Sequence, residues 1–167
     1  MIRLAKATEL DRILEIYESA KLYMRATGNP TQWAGNYPDS ATLLDDISKS
    51  QLYVMESDLS DDGSAICGVF ALIEGIDPTY GYIEGQWLND EPYGVIHRIA
   101  VGESGKGTAA ECFAFAEARC SNLRIDTHEK NIPMQRCLAK HGFARCGIIY
   151  LEDGDPRIAY QKVINNG

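Results

Sequence analysis

The chain has 167 residues, 45% of them hydrophobic and 24% charged, with a formal net charge of −8 and a pI near 4.8. That length suits one domain with its own core, and the composition is that of a globular protein rather than a disordered or fibrous one. The acid excess argues against phosphate-backbone binding, which needs clustered Lys and Arg, and mildly favours cationic partners such as amines.

No stretch approaches the ~20 consecutive apolar residues of a membrane span. The opening Met1-Ile2-Arg3-Leu4-Ala5-Lys6 leads into an acidic amphipathic segment rather than a signal-peptide run. Five cysteines, an odd number with no CxxC pair, suggest reduced thiols in a cytoplasm. Three histidines and unspaced cysteines offer no zinc pattern, so no metal is expected.

Met1 to Ala5 reads as a strand. Thr8 with Asp11 resembles a capping box before Leu10, Ile13, Leu14 and Tyr17, which follow at helical spacing. Gly28, Pro30, Gly35 and Pro38 then mark a loop that carries Trp33 and Tyr37. Asp39 or Ser40 caps a second helix with Leu43, Leu44 and Ile47 on one side. Gln51 to Glu56 and Ile66 to Ile73 form a hairpin about Asp61-Asp62-Gly63-Ser64. Asp77 to Trp87 reads as a short irregular strand, and Asn89-Asp90-Glu91-Pro92 as a turn. Val95 to Val101 is apolar except for His97 and Arg98, as in a central strand buried on both faces. A glycine-rich turn leads to a helix over Thr108 to Cys120 and a strand over Leu123 to Thr127. Asn131 and Pro133 start a last helix that Gly142 ends, and Phe143 to Tyr150 with Arg157 to Val163 form a closing hairpin.

A strand feeding a glycine-rich turn that opens a helix is a general anion trap, because the first helical N–H groups lack partners and the dipole favours negative charge. Gly105 and Gly107 let backbone approach a phosphate, and Lys106 adds a point charge. A P-loop would place Lys directly before Ser or Thr, whereas Lys106 precedes Gly107. A dinucleotide fingerprint would sit in the first strand–helix unit with a third glycine, which is absent. A turn of purely structural purpose stays open on spacing alone.

From Val95 onward the chain resembles the GNAT-type N-acetyltransferases. Their acyl-CoA signature, (Gln/Arg)-x-x-Gly-x-(Gly/Ala), is matched at Gly107 and Ala109, with Ser104 where Arg or Gln is usual. Asn131 to Phe143 resembles a second family segment at Asn131, Gly142 and Phe143. The resemblance covers nearly the whole chain. It implies a single domain, 1–167, of α+β class, with a mixed, largely antiparallel sheet of six to seven strands, splayed central strands and about four helices. It also implies acetyl-CoA or another short acyl-CoA as cosubstrate, without metal. The acyl group would pass by direct attack in a ternary complex to a primary amine of a small molecule or protein.

Carried over residue by residue, Ser104, Gly105, Lys106, Gly107, Thr108 and Ala109 would hold the pyrophosphate. Ile99, Ala100 and Val101 would bond the pantetheine arm, flanked by Asn131, Met134 and Cys137. The connection Gly102-Glu103 is shorter than the family's, and Leu138 stands where many members carry a tyrosine acid. Candidate acids and bases are then His97, Glu84, His128 and Tyr150, each of which has a plain packing or capping alternative. Trp33, Tyr37, Trp87 and Tyr93 are candidates for the acceptor pocket, with loop packing as their alternative. A non-catalytic acyl-CoA sensor with the same fold is the competing function. No nucleic-acid or membrane partner is expected, and a homodimer is left open.

Overall fold

The computed structural model describes residues 1–57, 66–101 and 108–165. Within them, eight strands form one sheet: β1 (Ile2–Leu4), β2 (Leu52–Glu56), β3 (Ile66–Glu74), β4 (Glu84–Gly85), β5 (Gly94–Val101), β6 (Asn122–Thr127), β7 (Ala144–Tyr150) and β8 (Pro156–Val163). Their order is β1-β2-β3-β5-β6-β8-β7-β4, and every neighbouring pair is antiparallel except β5 with β6. The fold is thus the mixed, mostly antiparallel α+β arrangement that the sequence leads one to expect. The two-residue β4 takes the strand count past the expected six to seven.

Helices α1 (Leu10–Ala26) and α2 (Ser40–Ser48) cover one face, while α3 (Thr108–Glu117) and α4 (Ile132–Lys140) cover the other. Strand periodicity divides the core between them. On β3, Val69 and Ala71 pack with Ile13, Tyr17 and Leu43, whereas Phe70 and Leu72 pack with Cys112, Phe113 and Leu138. Such burial on both faces explains the unbroken apolar run in β3.

The caps follow local chemistry. Asp39 accepts from the Thr42 N–H at 2.8 Å to start α2, and Asn131 accepts from the Met134 N–H at 3.2 Å to start α4. The Thr8–Asp11 box does not form, because Ala7–Glu9 winds first into a 3₁₀ turn and Glu9 accepts the Lys6 N–H at 2.9 Å. Glu9 is held there by Arg3, which it pairs with at 2.6 Å. Helix α3 ends at Glu117, short of Cys120, and Gly142 follows α4 with φ +83°.

At the far edge, β4 crosses β7 where two glycines face each other, Gly85 against Gly147. Both have positive φ, and a Cβ on Gly147 would lie 2.1 Å from the Glu84 carbonyl oxygen. Gly147→Ala should therefore release β4 from β7. The cost expected for a forced positive-φ side chain with a backbone clash is about 2 kcal/mol. Thermal unfolding should show a lower midpoint, and faster amide exchange at Gln86, whose N–H bonds to Cys146 at 3.0 Å, would localise the loss.

Candidate active site

The two parallel strands at the sheet's centre separate early. Strands β5 and β6 share register only at Gly94–Leu123 and Val95–Arg124. Beyond Val95 the β6-facing backbone of β5 has no ladder partner in β6, so a slot opens between the two strands. On its other edge, β5 shifts register against β3 between the Val69–Ala100 and Ala71–His97 pairs. That bulge centres on Arg98, a non-glycine residue at φ +52°. The Arg98 carbonyl accepts from the Tyr17 hydroxyl at 2.7 Å, and the Arg98 guanidinium donates to Asp46 at 2.6 and 3.0 Å and to the Tyr37 hydroxyl at 3.2 Å.

A cavity of about 680 Å³ lies at the open end of the slot. His97, Arg98 and Ile99 reach it from β5, Asp126 and Thr127 from β6, and Asn131 and Met134 from α4. The loop after α1 closes one side with Trp33 and Tyr37, and the β7–β8 turn supplies Glu152, Asp153 and Asp155.

His97 is the only one of the four candidate acids and bases that lines this cavity. Its Nε2 lies 2.9 Å from Asp77 Oδ2, and both side chains are only partly exposed. The other oxygen of Asp77 accepts from the Thr79 N–H at 2.9 Å and hydroxyl at 2.7 Å, and the Asp77 N–H donates to the Tyr93 hydroxyl at 2.9 Å. Burial alone would raise the Asp77 carboxyl, but the bonds from His97 and Thr79 outweigh it and bring it down to about 2. An ionised Asp77 accepts from Nε2–H and leaves Nδ1 as the basic ring atom. Sequence reading missed Asp77. Its signal was Asp-Pro-Thr, an acid one residue before a proline that opens a 3₁₀ turn (Pro78–Tyr80).

A second pair sits beside it. The Tyr80 hydroxyl donates to Asp126 Oδ2 at 2.7 Å, and burial raises the pKa of both groups, Tyr80 being raised further by the charge of Asp126. Gln32 ties the aromatic loop to α4, since its Oε1 accepts from Asn131 at 2.9 Å and from Asn29 at 2.8 Å.

The remaining candidates lie off the cavity. Glu84 and Tyr150 share an exposed edge, with the Tyr150 phenol raised by its hydrogen bond to Glu84. His128 is fixed by the Lys130 N–H at 3.0 Å and the Thr31 hydroxyl at 3.3 Å, and burial lowers its pKa. Trp87 and Tyr93 clamp the Arg124 guanidinium, which lies 4.0 Å from each ring, in a cluster with Tyr80 and Ile149. Tyr93 thus reaches the site only through Asp77. Trp33 and Tyr37 do line the cavity, Trp33 nearly buried against Tyr17.

Of the residues expected at the cofactor, Ile99, Asn131 and Met134 line the cavity. Ala100 is buried toward α1, Val101 ends β5, and Ala109 and Cys137 pack against the α3–α4 core. Ser104, Gly105, Lys106 and Gly107 lie outside the described residues, and Thr108 is the first residue of α3.

Neither a family model nor a curated protein sequence matches the chain. Solved structures do. A GNAT-family acetyltransferase from Streptococcus agalactiae 2603 is 34% identical over 99% of this chain and 96% of its own, with a TM-score of 0.86. The chain belongs to the GNAT acetyltransferase family. An acetyltransferase-like protein from Staphylococcus aureus Mu50 is 29% identical over 99% of both chains, with a TM-score of 0.71. A chain of the NatC complex, solved with Gag peptide and CoA, shares the fold at 14% identity and a TM-score of 0.60, covering 99% of this chain and 98% of its own. Acyl transfer is therefore the general chemistry of the family to which the chain belongs.

Among the described residues of this acetyltransferase no cluster of His, Cys, Asp and Glu could hold a metal ion, and no helix is long and apolar enough to cross a membrane. The Asp77 pair gives a pH signature. Its carboxyl falls from 3.8 to about 2 on folding, so it contributes stability above pH ~4 that is lost as pH drops toward about 2. The wild type should exceed Asp77→Asn by about 2 kcal/mol at neutral pH, the difference shrinking across that acidic window in urea unfolding. A pH-independent difference would place the stabilisation elsewhere.

Proposed function

We propose that this chain is an N-acetyltransferase that moves an acetyl or short acyl group from acyl-CoA to a primary amine by direct attack within a ternary complex. The observation that carries this reading is the His97–Asp77 pair at the mouth of the slot where β5 leaves β6.

The slot suits a pantetheine arm, because the β6-facing backbone of β5 beyond Val95 has no partner in β6 and could bond its amides, while Ile99 and Met134 supply apolar walls. The glycine-rich segment 104–107, with Thr108 and Ala109 at the start of α3, would hold the pyrophosphate. When bound, acyl-CoA supplies an activated thioester carbonyl. The acceptor would arrive as an ammonium ion against Trp33, Tyr37 and the carboxylates. His97 Nδ1 would take one of its protons, and Asp77 would hold the ring in place and stabilise the imidazolium. The amine nitrogen then forms the new C–N bond, and the C–S bond breaks. The nitrogen sheds its second proton to solvent as the amide forms, and CoA leaves as the thiol once the imidazolium returns the first proton to its sulfur.

His97→Gln should lower kcat about a hundredfold, in line with loss of a positioned base. It should leave the acetyl-CoA-induced rise in melting temperature in place, and unchanged thiol release would remove His97 from the chemistry. Gly107→Val should abolish that acetyl-CoA stabilisation while the apo protein stays folded. Stabilisation by acetyl-CoA with no thiol released from any amine would favour a binding domain over an enzyme.

A further inference from the structure

The cavity wall carries five carboxylates, Asp77, Asp126, Glu152, Asp153 and Asp155, against two guanidiniums. Those two cations are already engaged. Arg98 is paired with Asp46, and the buried Arg157 donates to the carbonyls of Pro156 and Gln32 and lies 3.7 Å from Asp155. Glu152 and Asp153 are exposed at the turn between β7 and β8, and no ion pair is formed by either among the described residues. The wall therefore holds negative charge at two places, beside His97 on β6 and the Asp77 turn, and again at the β7–β8 turn. Apolar groups, among them Met24 and Trp33, share the lining. A further polar group points to a ligand: Thr127 is fully buried on this wall, and its hydroxyl has no partner among the described residues.

We infer that the acceptor is an aliphatic amine carrying a second cationic group, a diamine or polyamine, whose reacting nitrogen meets His97 while the distal ammonium faces Glu152 and Asp153. This rests on the acyl-transfer reading above. An acceptor whose one amine meets His97 would leave Glu152 and Asp153 idle. A methylene chain suits the apolar part of the lining, Met24 and Trp33 among it. An acceptor bearing a carboxylate would face the outer acids as like charges.

The test compares thiol release from acetyl-CoA with cadaverine, pentylamine and aminovalerate as acceptors. Cadaverine should exceed pentylamine about tenfold in kcat/KM, as expected for one ammonium between solvent-facing carboxylates, and aminovalerate should be slowest. Added salt should narrow the gap, because exposed charges are screened. The double variant Glu152→Gln/Asp153→Asn should draw the cadaverine-to-pentylamine ratio toward one, with an unchanged melting temperature showing that it folds. Equal rates for the two amines, or a preference that survives the double variant, would overturn the inference and leave amine acetylation standing. Thiol release from none of the three would instead remove the reading on which it rests. Calorimetry of cadaverine and pentylamine with the CoA-bound protein would then decide: salt-sensitive binding of cadaverine alone supports a dication site, and equal or absent binding refutes it.

Discussion

Strands β5 and β6 lie parallel for two residue pairs and then separate, and the cavity exists because of that separation. The divergence begins beside the bulge at Arg98, where a non-glycine residue occupies left-handed backbone at φ +52°. Such a residue costs on the order of 1–2 kcal/mol, so the surroundings must hold it. They do so from the α1–α2 side. Tyr17, fully buried on α1, donates to the Arg98 carbonyl, and Asp46, buried on α2, takes the guanidinium through two bonds. Removing one partner of a buried ion pair costs about 3–5 kcal/mol because the other charge is left uncompensated, so Asp46 and Arg98 hold each other in place. A helical layer that touches no reacting atom thereby sets the shape of the central strand.

The same economy of parts joins the two sides of the cavity. Asn131 caps α4 with its oxygen and uses its amide to hold Gln32, which also receives Asn29, while Arg157 from β8 bonds the Gln32 carbonyl. The loop that presents Trp33 is thus fastened to the helix that borders the slot. A change in the loop is felt at the α4 N-terminus, and one residue type serves helix capping and loop docking together. Asp77 is similarly shared: it caps its own 3₁₀ turn through Thr79 and still presents an oxygen to His97.

Periodicity and turn chemistry made most of this architecture legible. The Asp39 and Asn131 caps, the order of strands and helices and the closing hairpin all follow from nearest-neighbour physics. What they could not reveal were long-range partners. Glu84 reads as a candidate base on the irregular strand before β5, yet β4 pairs with β7 at the sheet's edge, because a two-residue strand carries no signal of its partner. Trp87 and Tyr93 read as pocket aromatics because both lie in irregular segments. Their common partner, Arg124, stands some thirty residues on, in β6. His97 was visible as a polar break in an apolar strand. Asp77, twenty residues earlier, was not, since only the folded chain brings the two together.

An acid-lined cavity sets a problem for the chemistry proposed at its centre. Carboxylates draw an ammonium in, but each also stabilises the charged form of the amine and so opposes the loss of the proton that attack requires. The arrangement of the inner acids eases that conflict. Both oxygens of Asp77 are occupied, by His97 and by two donors from Thr79, so its charge is spent on the imidazole rather than on the amine. Asp126 accepts from Tyr80, and burial pushes its carboxyl up, which weakens its hold on a nearby cation. The acids free to keep a cation charged are those of the β7–β8 turn. On the mechanism proposed above, attraction would fall to Glu152 and Asp153 and proton removal to His97, so that a distal ammonium would stay charged at the turn while the proximal one is deprotonated.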